Sequence, residues 1–214
     1  MKNGELKSWE EVVAGGELPL ILVRHGQTDG NVQRRFIGRV DLPLNETGKR
    51  QARALGERFE GTPWGGIYTS PLARAKSTAE ALGEAREVNA LQELDQGVLE
   101  GKTLEELPGD FTEFFAAWDR DAENTRVPGG ETLGECRDRA WGAMREIAER
   151  HAGESGPVAI VAHQMVISVL LLEVLEAPLK LNDKVQQKNT GVSLVGYREG
   201  RFQLHWSGDT SHLD

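Results

Sequence analysis

Apolar and polar positions follow two rhythms along this chain. Residues 20–23 (Leu-Ile-Leu-Val) and 158–162 (Val-Ala-Ile-Val-Ala) are apolar throughout. Continuous apolar runs of that length read as strands covered on both faces. Residues 66–69 form a shorter strand candidate. Between these runs the apolar positions fall at helical spacing: Ala52, Leu55 and Phe59 within 47–59, and Leu133, Cys136, Ala140, Met144 and Ile147 within 132–152. Ser70-Pro71 reads as an N-cap followed by proline at the first helical position, which starts a helix running through Leu82. Residues 165–175 are apolar nearly all round and predict a buried helix. The runs 192–197 and 202–206 flank Arg198-Glu199-Gly200-Arg201 and read as a terminal hairpin. This alternation predicts an α/β protein, three layers α/β/α around a mostly parallel sheet.

Two stretches break the rhythm. Residues 102–130 place Phe111, Phe114, Phe115 and Trp118 on a short helical pattern ahead of Pro128-Gly129-Gly130. They read as a helical insertion near the sheet edge, able to act as a lid, whose aromatics form their own small core or line a substrate pocket. Residues 1–18 precede the first strand, and Trp9, Val12 and Val13 there suit a short helix packed on the domain.

The 214 residues suffice for one domain with a substantial core. Lys and Arg total 25 against 34 Asp and Glu, a formal charge of −9. That balance argues against nucleic-acid and membrane-surface partners, whose phosphates repel it. An anionic ligand would need a local cluster of arginines. Residues 1–18 hold no apolar stretch of signal-peptide type, and the greasy run 166–175 is interrupted by Glu173 and too short for a bilayer. A cytoplasmic location is the expectation. Cys136 is the single cysteine and sits on the apolar stripe of its helix, so it reads as a core thiol. Gly101-Lys102-Thr103 lacks the glycine a phosphate loop requires five positions earlier, and His151, His205 and His212 lack metal-ligand spacing.

The chemistry concentrates in Arg24-His25-Gly26-Gln27-Thr28-Asp29-Gly30-Asn31, directly after the first apolar run. Ligands of open α/β sheets bind outside the carboxyl ends of strands. An imidazole beside a fixed cation at such a place suits attack on a phosphoryl group. His163, directly after the run 158–162, repeats the placement.

Further motifs follow in order: residues 36–44 (Phe-Ile-Gly-Arg-Val-Asp-Leu-Pro-Leu), Thr47-Gly48 leading to Gln51-Ala52, Ser70-Pro71-Leu72-Ala73-Arg74-Ala75, Leu91-Gln92-Glu93, Glu100-Gly101, Pro128-Gly129-Gly130-Glu131-Thr132 and Val161-Ala162-His163. As an ordered set they resemble the histidine phosphatase superfamily, the phosphoglycerate mutase-like proteins, from Leu20 to about Val195. The resemblance implies that fold. It also implies His25 as a nucleophile that becomes phosphohistidine, with Arg24, Arg74 and His163 around the phosphoryl oxygens. Asn31 and Thr28 would be further donors, and Glu93 the proton donor, with Asp95, Glu100 and Glu131 as rival carboxylates. Glu131 otherwise reads as first-turn charge on the helix that follows. The scheme implies neither cofactor nor metal, because arginines supply the positive charge. Gln164 departs from the usual glycine after His163; its side chain would crowd the pocket or add a donor, a matter of specificity.

The short insertion without paired arginines and the Gly-Gly-Glu-Thr form of the motif look more like the phosphatase branch. The expected activity is hydrolysis of a small phosphorylated metabolite. A cofactor-dependent phosphoglycerate mutase is the first alternative, which the short polar segment 207–214 disfavours. A non-catalytic phosphate-binding relative is the second. Relatives include dimers, which leaves a homodimer open here.

Overall fold

Both all-apolar runs are strands, and they pair with each other. The computed structural model describes residues 6–109 and 111–214. In chain order the elements are α1 (Trp9–Ala14), β1 (Leu18–Arg24), α2 (Asp29–Val32), α3 (Glu46–Arg58), β2 (Gly66–Thr69), α4 (Ala73–Ala79) and β3 (Arg86–Glu87). Then follow α5 (Phe111–Asp121), α6 (Leu133–Arg150), β4 (Val158–Ala162), α7 (Gln164–Val174), β5 (Val192–Arg198) and β6 (Arg201–Asp209). Of the N-terminal segment and the insertion, residues 1–5 and Asp110 lie outside the described residues.

The six strands form one sheet in the order β3-β2-β4-β1-β5-β6. The first four run parallel, whereas the terminal hairpin β5–β6 joins antiparallel through β5 to β1. The hairpin thus makes the sheet mixed. Side chains of a strand alternate between faces, and β1 and β4 divide their apolar residues accordingly. Leu20, Leu22, Val158, Ile160 and Ala162 join one core with Cys136, Ala140, Met144 and Ile147 of α6 and Val166, Ile167 and Leu170 of α7. Ile21, Val23, Ala159 and Val161 join a second core with Val12 of α1, Leu55 of α3 and Ala75 and Ala79 of α4. The result is the expected three layers. Among the described residues, no helix is long and apolar enough to cross a membrane.

Local chemistry shifts several boundaries. Asn45 caps α3, accepting from the Gly48 N–H at 2.9 Å. Ser70 does not cap α4, which starts at Ala73 and ends at Ala79, short of Leu82. The Ser70 N–H still bonds Val161 in the sheet at 3.1 Å, and its hydroxyl lies 2.8 Å from His163. Thr132 and Glu135 form the capping box of α6, so Glu131 stands outside the helix. The aromatic face of the insertion helix α5 meets Phe36, Leu94, Leu99 and Met165 and packs on the core that α6 and α7 share. The two-residue strand β3 has no apolar signature, because both its residues are exposed.

Candidate functional site

The parallel register sets the site. Arg24 pairs with Ala162, so His25 and His163 emerge side by side where β1 and β4 end. Their ring centroids are 5.1 Å apart, and the His25 N–H bonds the Ala162 carbonyl at 3.0 Å. β1 is also the strand with a parallel neighbour on one side and an antiparallel one on the other.

His25 is 4% exposed. Its Nδ1 lies 2.7 Å from the Gly26 carbonyl, which can only accept. The ring proton is therefore on Nδ1, and Nε2 keeps its lone pair. Burial, then Arg74 and Arg24, push the His25 pKa well below the usual imidazole value. The ring is neutral at neutral pH. His163 is held from the other side. Ser70 Oγ accepts from the Leu72 N–H at 3.3 Å and sits 2.8 Å from His163 Nε2. Ser70 is fully buried, and among the described residues Nε2 is the one acceptor its hydroxyl proton meets, so the hydroxyl donates to Nε2 and leaves the His163 proton on Nδ1. Among the described residues that buried Nδ1 has no hydrogen-bond partner, and the same holds for Arg24 Nε and, outside the cluster, Arg39 Nε. Orphaned buried donors are rare in proteins and call for an acceptor.

Arg74, 1% exposed, is fixed by backbone of the 36–44 motif: its guanidinium donates to the carbonyls of Val40 at 2.9 Å and Gly38 at 2.7 Å. Gly38 adopts φ +49°, and a Cβ there would meet Glu100 Oε1 at 2.1 Å, so glycine is required. Thr78 ties α4 to the loop after β1, donating to the Arg74 carbonyl at 2.7 Å and accepting from the Gly26 N–H at 2.9 Å. Arg24 donates to the Gln187 carbonyl at 2.5 Å.

Asn31 Oδ1 accepts from the Thr28 N–H at 3.0 Å, the Thr28 hydroxyl at 3.1 Å and Asn189 Nδ2 at 3.2 Å. Three donors converging on the oxygen turn the Asn31 amide nitrogen the other way, available as a donor. Thr28 itself is fully buried, its hydroxyl taken up by this capping box. In this structure it orients Asn31. Gln164 is engaged in a similar way. Its amide donates to Ser168 Oγ at 2.9 Å and the Val185 carbonyl at 3.1 Å, and its oxygen accepts from the Gln187 N–H at 2.9 Å. The side chain pins the 185–187 loop on which Arg24 rests, and its oxygen also accepts from Arg24 Nη1 at 3.5 Å.

Among the carboxylates the structure separates Glu93 from its rivals. Glu93 is 7% exposed, and its carboxylate accepts from the N–H groups of Leu94 at 2.8 Å and Met165 at 3.3 Å. Burial raises its pKa, opposed by those N–H groups and by Arg74 and Arg24. For Glu131 burial acts the same way, but Arg139, the Asp95 N–H and Arg39 outweigh it and hold the carboxyl below the usual range. Asp95 caps the Gly97 N–H at 3.0 Å and pairs with Arg39 at 3.2 Å, and Glu100 accepts from the Arg39 N–H at 2.6 Å. Burial thus favours the protonated form of Glu93, whereas its partners favour the ionised form of Glu131.

Sequence reasoning missed Arg139 and Asn189. Arg139 clasps Glu131 with Nε at 2.9 Å and Nη2 at 2.8 Å. It also donates to the carbonyls of Ala90 at 2.7 Å, Gln92 at 2.6 Å and Glu93 at 3.1 Å. It thereby fixes the loop that carries Glu93. The signal was an arginine interrupting the apolar stripe of α6 beside Ala140, which spacing alone leaves ambiguous with a solvated charge. Arg139→Met keeps the stem and removes the donors. Its kcat is expected to fall by up to about 10²-fold with KM little changed, since a misplacement of roughly 1 Å costs that much. Steady-state kinetics check this, and an unaltered kcat refutes the positioning role.

Two arginines, two imidazoles and an amide gathered at adjacent parallel strand ends define a protein that can clasp one tetrahedral anion, with a protonatable carboxyl beside it. Comparison with known proteins fits that class. The family model of the histidine phosphatase superfamily (branch 1) matches residues 20–210, and the chain belongs to that family. It is 34% identical over 211 residues to the probable phosphoglycerate mutase GpmB of Salmonella choleraesuis (strain SC-B67), covering 92% of this chain and 95% of that protein. The structure of Bacillus stearothermophilus YhfR superposes with TM-score 0.84 at 33% identity, covering 92% and 100% of the two chains. A mutant phosphoserine phosphatase from Entamoeba histolytica in complex with phosphoserine gives 0.81 at 27% identity, covering 92% and 99%.

Proposed function

We propose that the protein is a phosphomonoesterase that hydrolyses a small phosphate ester through a phosphohistidine on His25. The observation that carries this reading is the neutral His25 with a free Nε2, set among Arg24, Arg74 and His163 and accompanied by a carboxyl whose pKa is raised. The Nε2 lone pair attacks phosphorus and forms the N–P bond. The P–O ester bond breaks, its electron pair goes to the leaving oxygen, and Glu93 delivers a proton there. Glu93, now a carboxylate, takes a proton from water as the water oxygen attacks phosphorus. The N–P bond breaks, its pair returns to Nε2, and Glu93 is protonated again. Throughout, the Gly26 carbonyl accepts from Nδ1–H and stabilises the positive charge that develops on the ring. The transition state spreads negative charge over the equatorial oxygens. Arg24, Arg74, His163 Nδ1–H and the Asn31 amide supply donors without rearrangement, which is the economical form of electrostatic catalysis.

The phosphatase structures that superpose on this chain favour hydrolysis, while the GpmB name at 34% identity favours phosphoglycerate mutase as the second reading. Measuring phosphate release with a chelator present separates them. Release from p-nitrophenyl phosphate, O-phosphoserine or another ester of a metabolite panel is expected. Rapid conversion of 3-phosphoglycerate to 2-phosphoglycerate in the presence of 2,3-bisphosphoglycerate, without free phosphate, would overturn the hydrolase reading.

A further inference from the structure

We propose that the C-terminal turn tethers the backbone of the nucleophile, with His212 as a positioning residue that acts through Thr190. This rests on the phosphomonoesterase reading and deepens it. Thr190 lies just before β5 and is fully buried. Its φ of +55° is one that a β-branched residue rarely adopts. Such a conformation persists only where its surroundings over-determine it, and it gathers at functional sites. Here it aims the Thr190 N–H at the strand end that bears the nucleophile. That N–H donates to the carbonyls of Arg24 at 3.0 Å and His25 at 3.3 Å. Asn189 Nδ2 donates to the same His25 carbonyl at 3.0 Å. The chain is thus fixed immediately ahead of Gly26, whose carbonyl sets the His25 ring.

The turn Ser211–Leu213 follows β6 and packs against α3. It reaches Thr190 through the hydroxyl. Thr190 Oγ1 gives its single proton to the Asn189 carbonyl at 2.8 Å, so towards His212 Nε2, 3.1 Å away, it can only accept. Nε2 therefore carries the His212 proton. Nδ1 lies 3.4 Å from Arg58 Nη1, which can only donate, so Nδ1 accepts. Both ring nitrogens are used with the ring neutral. Burial, then Arg58, favour that form, against Asp209 and Asp214. Arg58 is itself anchored. Its Nη2 bonds Asp209 Oδ2 at 2.6 Å, and its guanidinium lies over the rings of Phe59 and Trp206. A line of contacts thus runs from α3 and β6 through His212 and Thr190 to the carbonyl of His25. The hydrogen-bond partners of His212 among the described residues are Thr190 and Arg58, so its effect on rate passes through Thr190.

The test is the rate constant for nitrophenol release from p-nitrophenyl phosphate in a single turnover at saturating enzyme. That value does not depend on how much of a variant is folded. The leaving group departs unaided, so the value reports where Nε2 of His25 stands rather than proton delivery. His212→Phe keeps a ring and removes both hydrogen bonds. It is expected to lower the rate constant by about tenfold, and by up to about 10²-fold, with KM little changed. His212→Gln, whose amide offers a donor and an acceptor, is expected to restore most of the rate. Thr190→Val keeps the branched side chain without the hydroxyl, and it should be as slow as His212→Phe; it serves the same reading should His212→Phe fail to fold. The double variant should be no slower than either, because both cut one link. A wild-type rate constant in His212→Phe or Thr190→Val, losses that multiply in the double variant, or no recovery in His212→Gln overturns the tether and leaves the phosphatase reading intact. Absence of release by the wild type from every ester, p-nitrophenyl phosphate included, removes that reading and the tether together.

Discussion

His25→Ala is expected to lower kcat for phosphate release by roughly 10³–10⁶-fold, the range over which loss of a catalytic nucleophile acts. The magnitude follows from the absence of a substitute. His163, the nearest imidazole, has its ring centroid 5.1 Å away, and its Nε2 accepts from Ser70. Its remaining nitrogen carries the proton and can donate to an anion but cannot attack. Water could attack phosphorus directly in the variant, but it would lack the position that Nε2 holds by virtue of the Gly26 hydrogen bond. The variant should remain folded, because His25 is neutral and its removal strands no charge. Two measurements check this: steady-state phosphate release, and acid-labile protein phosphate after a single turnover. Wild type is expected to accumulate that label and the variant to show none. Wild-type rates in His25→Ala would refute covalent catalysis by this residue.

The legible parts of this fold were those whose cause is local. The runs at β1 and β4 announce themselves because strands buried on both faces admit no polar residue, and the α6 stripe is readable because one face meets the core. The cluster was legible through chemistry, since Arg24, His25, Arg74 and His163 each end a strand or open a helix in a motif. What failed depends on partners distant in sequence. Ser70 reads as a helix cap until His163 arrives from 93 residues away and takes its hydroxyl. Thr28 and Gln164 read as donors, and spacing alone does not show that Asn31, Ser168, Val185 and Gln187 engage their side chains. Arg139 escapes a reading by spacing because the four residues that accept its five hydrogen bonds lie on two other segments. In each case the residue type was informative and the hydrogen-bond partner was not. Polar groups in a folded interior are allocated by tertiary geometry.

Glu93→Gln separates the two steps that a single carboxyl serves. With an alkyl phosphate, the leaving alkoxide needs the proton, and kcat is expected to fall by about 10²–10⁴-fold. With p-nitrophenyl phosphate the leaving group departs unaided, so the first step should be nearly unaffected while the second, which needs a base for water, remains slow. The variant should therefore release one equivalent of nitrophenol in a burst and accumulate phosphohistidine. The pH dependence carries the same signature with a definite sign. Burial raises the Glu93 pKa, and the acid form is the active one in the first step, so wild-type kcat/KM on alkyl phosphates should decline as pH rises through that raised value. Lowered by burial, Arg74 and Arg24, the His25 pKa should impose no loss until well below pH 6.5. Glutamine does not titrate, so the alkaline decline should vanish in the variant while the residual rate stays flat. Burst kinetics with p-nitrophenyl phosphate and pH profiles with butyl phosphate measure these effects. A variant equally slow on both substrates, with no burst, would assign the proton to another group.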